Sequence, residues 1–129
     1  MGMCMEVDIF TGEDSIYVEK ENQTKVNYYL FDEYEIHKCV IPANSFQEWH
    51  RHKLIDEILY VTAGEIIAKW MEDGKEQKQT LTKDMMINVK HSMHTIANES
   101  NAQAEFVVFR VLPTGMKKQG IIKQDKYYE

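Results

Sequence analysis

Short apolar or alternating segments recur along most of the chain, and turn-forming residues separate them. From Val26 onward these segments are 26–31, 34–41, 46–52, 58–63, 65–71, 77–81, 85–89, 93–97 and 105–112. Alternation with a period of two is typical of strands that turn one face to a core and the other to water. Strands this short and this regularly spaced predict an all-β protein, either a sandwich or a jelly roll.

Turn signals and patterning divide the chain into three regions. Asp73-Gly74 predicts a hairpin, because this pair readily adopts positive φ at both turn positions. Residues 1–25 are mixed in charge and weakly patterned, so we expect an irregular N-terminal stretch there. A barrel is predicted for residues 26–116, and a C-terminal tail, either a short helix or an arm, for residues 117–129.

Histidines in two of these segments suggest a metal site. His50 and His52 lie two positions apart, so on a strand their imidazoles would project from the same face. Glu57 offers a carboxylate oxygen from a neighbouring strand, and His94 could complete the set from a distant one. Three neutral imidazoles and one carboxylate suit a divalent first-row metal, and in a six-coordinate ion they leave two positions open. The spacing therefore predicts a metal site built for a small-molecule substrate or ligand.

The same residues resemble the two motifs of the cupin superfamily. His50-x-His52-x4-Glu57-x6-Gly64 is similar to the first motif, and Lys83-Asp84 through His94-x3-Asn98 is similar to the second, whose histidine is the fourth ligand. The resemblance spans roughly residues 34–112. It implies a double-stranded β-helix, or jelly-roll barrel, that binds one divalent transition metal (Fe, Mn, Ni or Zn) through His50, His52, Glu57 and His94.

Four turn positions depart from the family's pattern. Asn44, Lys83 and His91 stand where the family usually has glycine, and Val89 stands where it usually has proline. Glycine and proline at such positions serve the backbone conformation of the turn. Asparagine tolerates positive φ better than most residues, so Asn44 is a mild change. Lys83, Val89 and His91 lead us to expect that the loop before His94 follows a different path from that loop in the family. We expect the ligands to be retained.

Alternation around the ligands predicts which side chains contact a substrate. If the two histidines of the first motif face inward, then Phe46 and Glu48 do so as well. By the same rule Leu59 lies inward beside Glu57. The implied cavity is apolar, with a metal and few other charges. A bulge in either strand would reverse these orientations.

Three further polar residues near these segments have open roles. His91 precedes His94 by three positions and could contact the substrate or simply cap the loop. Arg110 could point into the barrel and bind an anionic substrate, although a structural ion pair is the interpretation we favour. His37 lies in a segment of mixed polarity, and we expect a surface or half-buried residue without a catalytic role.

Segment 106–112 is nearly continuously apolar except for Arg110, which predicts a central strand that is covered on both faces. Cover on its outer face would follow from a homodimer formed through sheet edges or outer faces, with the N-terminal stretch exchanged or packed on the partner. A surplus of apolar side chains over what one small core can bury supports this expectation. They are Tyr28, Tyr29, Phe31, Val107 and Phe109.

Composition and charge limit the class of protein, its partners and its location. The 129 residues are 43% hydrophobic and 28% charged, which is typical of one ordinary globular domain. The net charge of −6 disfavours nucleic acid and anionic membrane surfaces as partners, because binding phosphates needs clustered lysine and arginine. Cys4 and Cys39 do not make a disulfide framework, and the first residues lack the basic-then-apolar order of a signal peptide. We therefore expect a cytoplasmic protein.

The resemblance implies a range of functions. Cupins include dioxygenases that use iron, decarboxylases that use manganese, sugar-phosphate isomerases that use zinc, and proteins that only bind a ligand. We favour a metal-dependent dioxygenase acting on a small metabolite, because two open positions on the metal suit that chemistry. A non-redox isomerase or lyase, such as a decarboxylase, is the second reading, and a non-catalytic small-ligand-binding module is the third.

Overall fold

The described chain consists of β-strands and a single 3₁₀ turn, Gly12–Asp14. The computed structural model describes residues 6–112 and 125–128, so Cys4 and most of the predicted C-terminal tail lie outside it. The strands are β1 (Ile16–Glu19), β2 (Lys25–Leu30), β3 (Tyr34–Ile41), β4 (Ser45–Phe46), β5 (Asp56–Ala63), β6 (Glu65–Glu72), β7 (Lys75–Thr82), β8 (Met86–Asn88), β9 (His94–Asn98) and β10 (Ala104–Val111). No helix in the described ranges is both long and apolar enough to span a membrane.

The strands form two antiparallel sheets that enclose one core. The first sheet has the order β1-β2-β3-β10-β5-β8, and the second has the order β4-β9-β6-β7. Buried side chains from both sheets meet between them, among them Ile41, Leu59, Val61 and Phe106 from the first sheet and Ile66, Ala68 and Ile96 from the second. The predicted all-β jelly roll is confirmed.

Strand β10 is central, as its apolar segment predicted. It pairs with β3 on one side and with β5 on the other. Phe106 and Val108 on it are buried in the core, whereas Phe109, on its other face, is 38% exposed. Within residues 6–112 and 125–128, the core therefore covers the inner face of β10, and the outer face is open to solvent.

Three turns that carry residues singled out in the sequence have positive φ. Asp73 (φ 52°) and Gly74 (φ 76°) both adopt it in the hairpin that joins β6 and β7, as expected. Gly64 has φ 73°, and a Cβ atom there would lie 2.8 Å from the carbonyl oxygen of Gln103, so that position admits only glycine. Asn44 has φ 53°, in keeping with its tolerance of this conformation.

The N-terminal stretch is more regular than expected. Residues Ile16–Glu19 form the edge strand β1, which pairs antiparallel with β2, so the prediction of an irregular stretch is wrong there. Every side chain of β1 is exposed. The strand is therefore held by backbone pairing and has no buried face, which is why its sequence lacks the expected alternation.

Segment 46–52 is less regular than expected. Strand β4 ends at Phe46, and the chain then makes only isolated bridges, from His50 to His94 and from Arg51 to Tyr127. The predicted single strand from Phe46 to His52 is wrong. The break matters for the site, because orientations that assume strict alternation do not hold across it.

Candidate metal centre

The structure brings the four predicted ligands together at one end of the barrel. Glu57 lies on β5, His94 begins β9, and His50 is held against β9 by a pair of backbone hydrogen bonds to His94, each 2.9 Å. His52 follows in the loop before β5. One donor atom from each residue lies within 4.8 Å of all the others, and all four side chains are buried.

Backbone carbonyl groups orient the three imidazoles. Each Nδ1 atom lies within hydrogen-bonding distance of one carbonyl oxygen: His50 with Glu48 at 3.0 Å, His52 with Asp125 at 2.5 Å, and His94 with Ser92 at 2.9 Å. A carbonyl oxygen can only accept, so each Nδ1 carries the proton and donates it. The Nε2 atom of each neutral ring is then left with a free lone pair.

These Nε2 atoms face one another and the carboxylate. The Nε2 atoms of the three histidines and Oε2 of Glu57 are buried, and none has a hydrogen-bond partner among the described residues. Oε2 of Glu57 is in direct contact with Nε2 of His52 and lies 4.0 Å from Nε2 of His94. Burying an acceptor without a partner costs free energy. A cation between acceptors that converge on one another would offset that cost. The donor set therefore fits a divalent transition metal.

Electrostatics keep this donor set in its ligating form. Burial lowers the pKa of His50 to about 3 and also lowers the pKa of His94. Burial disfavours the charge on Glu57, whereas the positive charge of Arg110 favours it, and the pKa of Glu57 lies well below its usual value. At neutral pH His50 and His94 are therefore neutral imidazoles and Glu57 is a carboxylate.

Comparison with solved structures identifies the architecture. An oxalate oxidase in complex with the substrate analogue glycolate matches with a TM-score of 0.63 at 16% identity, covering 72% of this chain and 53% of that one. FeII HppE matches with a TM-score of 0.66 at 16% identity, covering 81% and 60%. A sugar phosphate isomerase from a cupin superfamily, from Silicibacter pomeroyi, matches with a TM-score of 0.59 at 15% identity, covering 70% and 60%.

The chain has the cupin fold. Identities this low establish the fold alone, and the chain spans about half the length of the oxalate oxidases it matches. No family model and no curated protein matches the sequence. The resemblance read from the two motifs is confirmed at the level of fold, and the function of this cupin has to be argued from its site.

The cupin barrel encloses a small cavity lined by three of the four predicted ligands, all except His52. It has a volume of about 30 Å³, and Leu59 and Arg110 line it, as predicted for Leu59. Phe46 and Glu48 do not face it: both side chains are exposed, Phe46 by 59%, and they line an outer groove of about 310 Å³. Their predicted inward orientation is wrong because the strand breaks after Phe46. His91 is exposed and lines neither space.

The outer groove adjoins the cavity. Four residues line both spaces, and they are Lys20, Gln47, His50 and Lys126. A larger apolar groove of about 480 Å³ lies on the other side of His94, along Trp70, Leu81 and Met86. It shares only His94 with the cavity, and the free Nε2 of His94 is buried. The outer groove therefore shares more of its lining with the cavity than the larger groove does.

Arg110 points into the barrel. Its Nε atom lies 3.7 Å from Oε2 of Glu57, so an ion pair forms with a predicted metal ligand. That distance is too long for a hydrogen bond, and the buried Nε has no hydrogen-bond partner in the described part of the chain. The structure therefore shows both expected features of Arg110, the ion pair and the inward orientation. Its Nε–H group is left free to bind a ligand.

His37 is buried, which corrects the expectation of a surface or half-buried side chain. Its Nε2 lies 2.7 Å from the carboxylate of Glu35, and its ring packs edge-on against Tyr28. Burial lowers the pKa of His37, although the bond to Glu35 opposes this. Because Cys39 and Ile41 are core residues on the same strand, alternation back along β3 would have placed both polar residues inside.

A C-terminal segment, residues 125–128, anchors the loop that carries His52. The carboxylate of Asp125 accepts hydrogen bonds from the backbone N–H groups of three residues: Lys53 at 3.0 Å, Leu54 at 2.5 Å and Ile55 at 2.8 Å. Tyr127 forms two further backbone bonds with Arg51, of 2.6 and 2.7 Å. The sequence carried no signal for this contact, since about 70 residues separate the two segments.

Proposed function

We propose that this cupin is a metal-dependent enzyme that acts on a small metabolite, with dioxygenase chemistry as the favoured reaction. The observation that carries the proposal is the convergence of four buried acceptor atoms without a partner. A structural role alone does not account for them, because the core beside them is apolar and supports the fold. A reaction centre needs ligands of this kind and an access route, and the outer groove supplies the route.

The chain's own residues prepare the site in three ways. The carbonyl groups that accept from Nδ1 hold each imidazole in one tautomer and one orientation. Glu57 contributes a single negative charge, which lowers the net charge of a bound divalent ion. The narrow cavity excludes bulk water from the donor atoms. A divalent metal bound there would supply Lewis-acid polarisation of a substrate oxygen and, for iron, redox chemistry.

Two alternatives remain from other classes. A non-redox isomerase or lyase would use the same donors only for polarisation, and the likeness to a sugar phosphate isomerase favours this candidate at the level of fold. A non-catalytic binding module would use the cavity to hold a ligand. The likeness to an oxalate oxidase and to FeII HppE favours metal-dependent redox chemistry, of which the dioxygenase is one form, in the same limited sense.

We also propose a cytoplasmic location, in keeping with the free thiol of Cys39.

The experiment that separates these candidates starts with elemental analysis of protein purified without chelators. The same protein is then loaded with Fe²⁺, Mn²⁺, Ni²⁺ or Zn²⁺ and incubated with candidate metabolites in air and under anaerobic conditions. We expect iron at one ion per chain and oxygen uptake that requires both iron and metabolite. Turnover that is identical without oxygen would move the assignment to an isomerase or lyase. A metal-free protein that cannot be loaded would contradict the metal centre.

A further inference from the structure

Three cationic side chains line the cavity beside the predicted metal ligands. They come from distant parts of the chain: Lys20 follows β1, Arg110 lies on β10, and Lys126 belongs to the C-terminal segment. The two lysines are half-buried, and the side chain of Arg110 is 17% exposed. The cavity thus concentrates positive charge in a protein whose net charge is −6.

These cations lack sufficient counter-charge. Neither lysine forms an ion pair within residues 6–112 and 125–128, and Arg110 faces Glu57 at 3.7 Å without a hydrogen bond. Burial lowers the pKa of Lys20, and burial together with the charges of Arg110 and Lys20 lowers the pKa of Lys126 to about 8. Nζ of Lys126 also lies 5.7 Å from the ring centroid of Tyr128, a contact that supplies no counter-charge. Half-buried charges without counter-charge are unfavourable, and a divalent metal at the ligands would add to the repulsion.

We propose that the substrate of this site is a small organic anion with a carboxylate group, which enters between Lys20 and Lys126 and meets Arg110 beside the metal ligands. The inference rests on the proposed metal-dependent function and names its substrate class. The anion supplies negative charge that the three cations share. Long-range attraction into the cavity would also speed its entry.

Dimensions favour a carboxylate over a larger anionic group. The inner cavity has a volume of about 30 Å³, so only a group of a few atoms can reach the donor atoms. A planar carboxylate matches the planar guanidinium of Arg110, which can offer parallel N–H donors. The remainder of the molecule lies in the outer groove of about 310 Å³, where Glu21 and Glu48 at the rim confine the positive charge to the inner end.

Metal and anion should strengthen each other's binding. A divalent ion raises the attraction for the carboxylate, and the carboxylate offsets the repulsion between the ion and the three cations. By linkage, the factor by which the anion tightens metal binding equals the factor by which the metal tightens anion binding.

The test uses the full chain loaded with Co²⁺, whose visible spectrum reports occupancy of the metal centre. Malonate is the anionic probe, and malonamide is its uncharged counterpart of similar shape. Binding is measured by calorimetry and by the change in the cobalt spectrum. We expect malonate to bind at least about tenfold more tightly than malonamide, a difference of about 1.4 kcal/mol. The affinity for malonate should fall as salt is added.

Variants assign the effect to the two lysines. Lys20→Gln and Lys126→Gln should each weaken malonate binding by about fivefold to tenfold and leave malonamide unchanged. The control Lys75→Gln, at an exposed position in the β6–β7 hairpin, should bind malonate as the wild type does. Removing a half-buried charge that has no ion pair should not impair folding, and far-ultraviolet circular dichroism checks this.

The outcomes separate the inference from the function on which it rests. A cobalt spectrum with equal affinity for the two probes, or with malonate binding unaffected in both lysine variants, would overturn the anionic substrate and leave the metal centre standing. Protein that takes up no cobalt would overturn the metal centre, and the inference with it.

Discussion

At the scale of single residues, backbone carbonyl groups decide the chemistry of the site. Each of the three histidines donates from Nδ1 to a carbonyl oxygen, so Nε2 is the atom presented to the other ligands. The motif spacing predicted which histidines converge. It could not predict their tautomers, because two of the accepting carbonyls lie two residues before the histidine and the third lies 73 residues after it.

Removing one ligand tests the donor set. His52→Ala should abolish metal retention, because it takes away one of four donors, while far-ultraviolet circular dichroism changes little since the apolar core is untouched. Elemental analysis after loading and desalting makes the measurement. His91→Ala is the matched control, since His91 is exposed, whereas His37 is buried and bonded to Glu35. Full metal content in His52→Ala, or its complete unfolding, would rule out the ligand assignment.

The buried histidines predict how acid affects the metal-free protein. The unfolded chain protonates His50 near pH 6.5, whereas the folded site does so only near pH 3. The unfolded state therefore binds more protons in this window, and stability, complete above about pH 6.5, is lost as the pH falls. One such histidine contributes at most about 1.4 kcal/mol per pH unit. Glu57, whose pKa is also lowered, adds a further loss below about pH 4.5.

Urea unfolding of the metal-free protein at a series of pH values measures this dependence. His50→Gln should reduce the slope between pH 6.5 and 4.5, and His91→Ala should leave it unchanged. A free energy of unfolding that stays constant from pH 7 to pH 5 would refute the neutral, buried state of these imidazoles.

At the scale of elements, the C-terminal segment 125–128 completes the site. Asp125 uses its carboxylate to hold the backbone of Lys53, Leu54 and Ile55 and uses its carbonyl to orient His52. A residue far along the chain thus fixes the loop between the first two ligands and Glu57. Groups that hold a metal-ligating side chain in place substantially raise the affinity for the metal.

Substitution of Asp125 tests this positioning role. Asp125→Ala leaves three backbone N–H groups without their acceptor and should weaken Co²⁺ affinity by about 10–100-fold. Asp125→Asn keeps one carbonyl oxygen and should recover part of that affinity. The free energy of unfolding should fall by about 1–3 kcal/mol in the alanine variant. Competition against a metal chelator measures the affinity, with exposed Asp32→Ala as the control. Wild-type affinity in Asp125→Ala would exclude the role.

Strand prediction succeeded where burial alternates and failed where it does not. Strand β3 alternates between core and solvent sides, and its predicted bounds match those observed. Strand β1 has no buried residue, and the segment after Phe46 is held by isolated bridges, so neither has a period for the sequence to reveal. The ligand set was predictable because its members sit at motif spacing. Lys20, Lys126 and Asp125 were not, because folding alone brings them to the site.

At the scale of the whole molecule, the two faces of the six-stranded sheet differ in character. The inner face carries the polar site, whereas the outer face carries an apolar row across four strands. Register places Tyr29 beside Ile36, Ile36 beside Phe109, and Phe109 beside Ile58. Of the apolar residues expected in surplus, Tyr28 instead packs against the core.

We propose that this outer face joins two copies of the chain in a homodimer. Light scattering at micromolar concentration should give about twice the 15.2 kDa of one chain. Phe109→Glu places a charge in the middle of the row and should yield monomers that retain the metal. Thr80→Glu, at an exposed position on β7 in the other sheet, is the control and should remain dimeric. A wild-type mass of one chain would refute the dimer.

The most direct test of the account is an anomalous-scattering map from crystals of the metal-loaded protein. We predict one strong peak per chain, in contact with Nε2 of His50, His52 and His94 and with a carboxylate oxygen of Glu57, at about 2.0–2.3 Å. The Nδ1 atoms should keep their carbonyl partners. A map without a peak at these four residues, or a structure in which His94 points away from the other three, would contradict the account.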